Sequence, residues 1–112
     1  MSEQRLIKKY ANRRLYDASQ SRHITLDDIR TLVVAGVRVK VIEDKTNEDI
    51  TRAILLQVIA DQEQFGAPIL STPLLDALIR FYGNSLQSFL SAHLEKSVES
   101  FMSQRQKEAD SG

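Results

Sequence analysis

Cysteine is absent from the 112-residue chain. That excludes disulfides, thiolate metal sites and a cysteine nucleophile, and nothing argues for an oxidising compartment. No apolar run approaches the roughly 18 residues that a membrane span needs, so no membrane partner is expected. The N-terminus lacks the apolar stretch of a secretory signal, which makes a cytoplasmic chain the expectation. There is no glycine-rich phosphate loop, no Gly-x-Ser-x-Gly and no His-Glu-x-x-His, so the usual nucleotide and hydrolase signatures are missing. His23 and His93 are the only histidines, and neither has an acidic neighbour at ligand spacing. A binding protein without metal or cofactor is expected, not an enzyme. The pair Asp27-Asp28 suits the start of a helix better than catalysis, because adjacent residues point apart on a helix. Glu43, Asp44, Glu48 and Asp49 miss the calcium-loop spacing and its glycine.

The formal net charge is also zero, but that average hides a division. Residues 1–40 hold nine Lys and Arg against four Asp and Glu, giving +5; residues 41–112 hold six against eleven, giving −5. A chain with one basic and one acidic end points to a polyanion at the first. Hydrophobic residues make up 42% of the chain, enough for a modest folded core rather than a disordered polymer.

The pattern predicts an α+β protein: a small N-terminal domain of short strands and two helices over 1–66, then a helical oligomerisation segment over 67–112. Leu6, Ile7 and Tyr10, then Leu15 and Tyr16, fit two short strands around a turn at Ala11-Asn12. Asp17 to Arg22 reads as a loop, and His23-Ile24 as a further short strand. Thr25 is placed to cap a helix over 26–35, with Leu26, Ile29, Leu32 and Val33 on one face and Gly36 beyond its end. Val37, Val39 and Val41 alternate with Arg38 and Lys40, which predicts a half-buried strand over 37–42. Asn47 suits a left-handed turn position. Asp49 or Thr51 is expected to cap a second helix that ends near Gly66. From Leu74 to about Gln106 the spacing is helical throughout, with a polar, frayed tail beyond. Leu75, Ile79, Tyr82, Leu86, Phe89 and His93 take coiled-coil steps of four and three. Leu78, Leu90, Leu94, Val98 and Phe101 widen that face, and Gly83 weakens the helix near its middle.

The run Lys8-Lys9-Tyr10-Ala11-Asn12-Arg13-Arg14-Leu15-Tyr16 carries the most chemistry. Lys and Arg neutralise phosphates and release counterions. Arg also pairs with guanine, and Asn with adenine, at a major-groove edge that admits a two-stranded ribbon. The expected contacts with double-stranded DNA are Arg5, Lys8, Lys9, Tyr10, Asn12, Arg13, Arg14 and Tyr16, with the basic residues on one surface. The competing explanation is an edge strand whose lysines prevent aggregation. The apolar helical face is too wide for so small a domain to cover. Leu75, Ile79, Tyr82, Leu86, Phe89, Leu90, Leu94 and Phe101 are therefore expected to meet a second copy, in a dimer or tetramer, or an external apolar surface.

Three segments carry a resemblance to a known family: Arg5-Leu-Ile-Lys-Lys-Tyr-Ala-Asn-Arg-Arg-Leu-Tyr-Asp17; Ile24-Thr25-Leu26-x-Asp28-Ile29; and Asp44-Lys45-Thr46-x-Glu48-Asp49-Ile50-Thr51-Arg52. They resemble the polyhydroxyalkanoate (polyhydroxybutyrate) synthesis repressors of bacteria. Ile79-Arg80-Phe81-Tyr82-Gly83, Leu86-Gln87 and Leu94-Glu95 resemble the accumulation-regulator region of the same family. The resemblance implies a repressor of storage-polymer genes such as phasin. It also implies binding of the polyhydroxyalkanoate polymer or granule surface, with release of DNA when polymer is present. A granule-associated scaffold that binds an apolar surface through its long helix is the alternative function. The sequence departs from the family pattern at His23, where an aromatic is expected, and at Asn47, where glycine is.

Overall fold

A computed structural model describes the backbone of residues 4–111 and the side chains of residues 4–104. Two compact units divide between Ile69 and Leu70.

The first unit contains strands β1 (Gln4–Lys9), β2 (Leu15–Asp17), β3 (Arg22–Ile24) and β4 (Arg38–Glu43), with helices α1 (Leu26–Val34) and α2 (Thr51–Phe65). The sheet order is β3-β2-β1-β4. β1 pairs antiparallel with β2 and parallel with β4, so the first strand in the chain is an interior strand. Residues in register point to the same face, and successive residues alternate. Ile7 stands beside Asp17 and Val41, and Leu15 beside Ile24. These side chains form the core with Ile29 of α1 and Ile54 of α2, so both helices cover this face alone.

α1 begins as its sequence predicts. The Asp28 N–H donates to Thr25 Oγ1 (3.1 Å) and the Thr25 N–H donates to Asp28 Oδ2 (2.9 Å), a reciprocal capping box. Gly36, just past the helix, takes a left-handed φ of 87°. The start of α2 differs from expectation. Its N-cap is Ile50, which makes no side-chain capping bond. Asp49 Oδ1 instead accepts the N–H and hydroxyl of Thr51 (2.9 and 2.6 Å), one position early, while Thr51 Oγ1 accepts the Val41 N–H (2.8 Å) and ties the helix to β4. In the turn between β4 and α2, Asn47 adopts the left-handed conformation at φ 62°.

The second unit corrects the expectation of one helix from Leu74 onward. It holds two, α3 (Thr72–Phe81) and α4 (Gln87–Ser111). Ser71 caps α3, accepting the Leu74 N–H at 3.2 Å, with Pro73 in the first turn. Gly83, at φ 75°, departs from helical geometry, and Asn84 Oδ1 accepts the Leu86 N–H (2.9 Å) to start the next turn. A left-handed glycine followed by an amide that bonds its own backbone stops one helix and begins another. The tail expected to fray after Gln106 is helical through Ser111.

Candidate nucleic-acid interface

The hairpin joining β1 to β2 holds the basic run. The Tyr10 N–H donates to the Arg14 carbonyl and the Arg13 N–H to the Tyr10 carbonyl, both at 2.9 Å. Asn12 Oδ1 accepts the Arg14 N–H at 3.1 Å. The turn over Ala11-Asn12 is thus a three-residue loop whose last member, Arg13, is left-handed at φ 67°. Hairpin loops of this length commonly end in a left-handed residue, usually glycine. An arginine there costs about 1 kcal/mol, so the tip is held by its two backbone bonds and the Asn12 amide.

Alternation divides the expected contacts. Lys8 shares a register row with Tyr16 of β2 and His23 of β3, on the face that the helices leave open. Lys9 is in register with Leu15 and Glu43, on the core face. The two lysines therefore do not lie on one surface. On the open face the Tyr10 and Tyr16 rings meet edge to face with centroids 6.2 Å apart, and Tyr16 meets His23 in the same way at 5.4 Å. The departure at His23 thus preserves a ring in the row. An open recess of about 540 Å³ lies against these rings, Asn12, Asp44 and Lys45. A second, of about 380 Å³, runs from Arg13 and Arg14 to Thr25 and Leu26.

Arg5 has a different place. Its Nη1 lies 2.9 Å from Asp17 Oδ2, and Asp17 is 2% exposed. Asp17 Oδ1 also accepts the Ser19 N–H (3.0 Å), the Ser19 hydroxyl (2.9 Å) and the Gln20 N–H (3.4 Å). Burial pushes the Asp17 carboxyl up, but the bonds from Arg5, Ser19 and Gln20 outweigh it and hold the pKa below the ordinary value. Arg5 and Asp17 fasten β1 to the end of β2, so the Arg5 guanidinium is engaged in the frame of the hairpin. By contrast, Lys8, Lys9, Arg13 and Arg14 make no ion pair among the described residues.

The edge-strand explanation of the lysines does not fit this topology. Both sides of β1 are hydrogen-bonded, to β2 and to β4, so Lys8 and Lys9 guard no edge. Sequence reasoning leaves out Arg38 and Lys40, which stand in register with Gln4 and Leu6 and so share the open face with Lys8. Their alternation with Val39 and Val41 shows that they point away from the core; the β1–β4 pairing is needed to bring them beside Lys8.

The apolar residues singled out in the second unit are distributed over both helices. Leu75 and Ile79 lie on α3, Tyr82 and Leu86 flank the Gly83 break, and Phe89, Leu90, Leu94 and Phe101 lie on α4. The break interrupts the continuous seam that their spacing suggests. Among the described residues of this unit none is buried: Ile79 is 69% exposed, Phe89 72% and Phe101 63%. No described helix in the chain is long and apolar enough to cross a membrane.

Residues 6–66 match a family model described as the PHB/PHA accumulation regulator DNA-binding domain, and residues 70–108 match one described as the PHB accumulation regulatory domain. Two curated relatives are each 46% identical over 106 residues, 95% of this chain. One is an uncharacterized protein of Allochromatium vinosum, 69% of which is covered. The other, from Thiocystis violacea, is named "Uncharacterized protein in phbA 5'region" and is 77% covered. No solved structure matches the chain significantly.

Proposed function

The chain belongs to the PHB/PHA accumulation regulator family, with a DNA-binding domain followed by a regulatory domain, and on that premise we propose that it represses polyhydroxyalkanoate storage genes, phasin among them, until polymer removes it from DNA. The observation that carries this reading is the hairpin tip. Arg13 and Arg14 sit on a loop anchored to an interior strand, unpaired with any carboxylate among the described residues, with Arg13 in a backbone conformation that most arginines avoid. The loop geometry calls for a left-handed residue there, usually glycine, and the support for this reading is that an exposed arginine stands in its place. A ribbon of this kind fits a major groove, where Arg reads guanine and Asn reads adenine. The name of the Thiocystis relative, which places it in the 5′ region of phbA, supports storage genes as the targets.

The regulatory half supplies the switch in this reading. An aliphatic polyester presents apolar surface and uncharged ester carbonyls. The exposed Leu86, Phe89, Leu94 and Phe101 offer matching chemistry, each contributing about 1.5–3 kcal/mol when fully covered. The same side chains are the proposed seam between copies in a dimer or tetramer, so polymer and partner compete for them. Polymer would then loosen the assembly and its paired grip on two half-sites. Linkage requires operator DNA to weaken polymer binding by the same factor.

The test begins with footprinting on the regulator's own promoter and on neighbouring storage genes, followed by addition of amorphous polymer particles to the preformed complex. Protection of a discrete promoter segment and release of free DNA by particles is the expected result. That no apolar side chain described in the second unit is buried also favours a second reading, a scaffold on the granule surface. That reading predicts particle binding with no preference for promoter over random DNA.

A further inference from the structure

The strand cations of the open face outnumber its carboxylates, of which Asp49, bridged to Ile42, is the one beside them. Lys8, Arg38 and Lys40 are its strand cations, whereas the strand carboxylates Asp17 and Glu43 both fall on the core face. Arg38 and Lys40 are exposed and about 6.6 Å apart along β4, twice the strand rise. Lys40 stands one row from Lys8 across the β1–β4 pairing. None of the three is in an ion pair among the described residues. Asp49 feels Lys40 and stays ionised, its carboxylate accepting from the Thr51 N–H and hydroxyl, so it offsets part of the charge of Lys40 without forming an ion pair with it. The patch continues into the hairpin through the Tyr10–Tyr16 contact.

We infer that this open face is a second part of the DNA-binding surface: Arg38 and Lys40, with Lys8, hold duplex phosphates across β1 and β4 while the hairpin tip reaches into a groove. The inference rests on the reading of the hairpin as a DNA contact and adds two residues of β4, a strand outside the hairpin. Duplex phosphate is the occupant because three strand cations outweigh the single neighbouring carboxylate, Asp49, and the rings are engaged with one another. Tyr16 is half-buried and meets both neighbours edge to face, which leaves poor platforms for stacking unpaired bases. β4 is also an edge strand, and edge cations can serve only to prevent aggregation. That role would leave DNA affinity and its salt dependence untouched.

The experiment compares the full chain with an Arg38→Gln/Lys40→Gln variant and with Arg52→Gln, a cation on α2. The probes are a labelled duplex from the footprinted promoter segment, a scrambled duplex, and one strand alone. Thermal melts and sedimentation establish that each variant is folded and assembled like the wild type. Removing two phosphate-binding cations should lower affinity for both duplexes about tenfold at physiological salt. It should also flatten the plot of log affinity against log salt by about two. Arg52→Gln should match the wild type. If Arg13→Ala/Arg14→Ala weakens binding while the β4 variant keeps the wild-type affinity and slope, the hairpin reading stands and this inference is wrong. If the lone strand binds more tightly than either duplex, the face is a single-strand site and the inference is also overturned. If the wild type binds no DNA, both readings fall together.

Discussion

Lys8 and Lys9 are adjacent in the chain and on opposite faces of the sheet, Lys8 in register with Tyr16 and Lys9 with Leu15. A basic pair that looks like one patch in the sequence is thus one cation on the open face and one on the core face beside Glu43. The helices cover the second face, so the two lysines should respond differently to replacement.

Replacing Arg13 and Arg14 together by alanine should cost about 1–3 kcal/mol for each base that an arginine no longer reads, and should relax discrimination between promoter and random duplex. Lys8→Ala should weaken both duplexes alike and reduce the salt slope by about one. Lys9→Ala should do much less. Titrations over a range of salt give all three; equal effects from the two lysines would contradict the division of faces.

Arg13→Gly should separate stability from binding. Glycine reaches φ 67° without steric penalty, although it adds freedom to the unfolded chain. The balance is expected to raise stability by up to about 0.5 kcal/mol. DNA affinity should fall at the same time. Urea melts and binding measured on one preparation test this, and a variant that is both less stable and equally tight would show that the left-handed arginine has another cause.

Asp17 predicts a pH dependence. Its folded pKa lies below the ordinary 3.8, so the ionised form favours the fold. That contribution is complete above about pH 5, declines as pH falls through about 4, and is lost once the folded pKa is passed. Asp28 and Asp49 are lowered too and act in the same direction, through bonds from Thr25 and Thr51. The comparison is therefore wild type against Asp17→Asn. The variant leaves the Arg5 charge without its carboxylate and should be less stable by about 2–3 kcal/mol at about pH 7. The gap should narrow toward about pH 3, as followed by denaturant melts; a constant gap would remove Asp17 from the account.

Assembly should be visible in sedimentation of the intact chain at micromolar concentration as a dimer or larger species. Ile79→Glu and Phe89→Glu place charge on side chains 69% and 72% exposed in the isolated chain. They should fold normally and shift the equilibrium toward monomer, each by about 1.5–3 kcal/mol. A monomeric wild type would refute the proposed seam.

Much of the first unit is legible because its signals are local. Thr25 and Asp28 announce a capping box three residues apart, Gly36 and Asn47 sit where the backbone turns left-handed, and Val39 and Val41 alternate with cations. The pairing partners are not legible. Nothing in the hairpin sequence states that β4 lies parallel to β1, and that non-local pairing is what makes β1 interior and brings Arg38 and Lys40 beside Lys8. The pairing of Arg5 is hidden from a linear reading for a related reason: its partner Asp17 is twelve residues away and looks like a loop residue until β2 is seen to include it. In the second unit the apolar period runs straight through Gly83. Periodicity records which side chains are apolar, whereas the break depends on a positive φ and the Asn84 amide.

The parallel pairing of the first strand with the last makes the order of synthesis matter. A ribosome delivers β1, β2 and β3 first, and these hold the hairpin and all of its charges. One side of β1 then has no hydrogen-bonding partner until α1 has been made and β4 follows. A fragment ending before Arg38 would carry the basic motif intact yet lack Val41 from the core and the cations that flank Lys8. The motif is written early in the message, but the surface that displays it is finished only with the last strand.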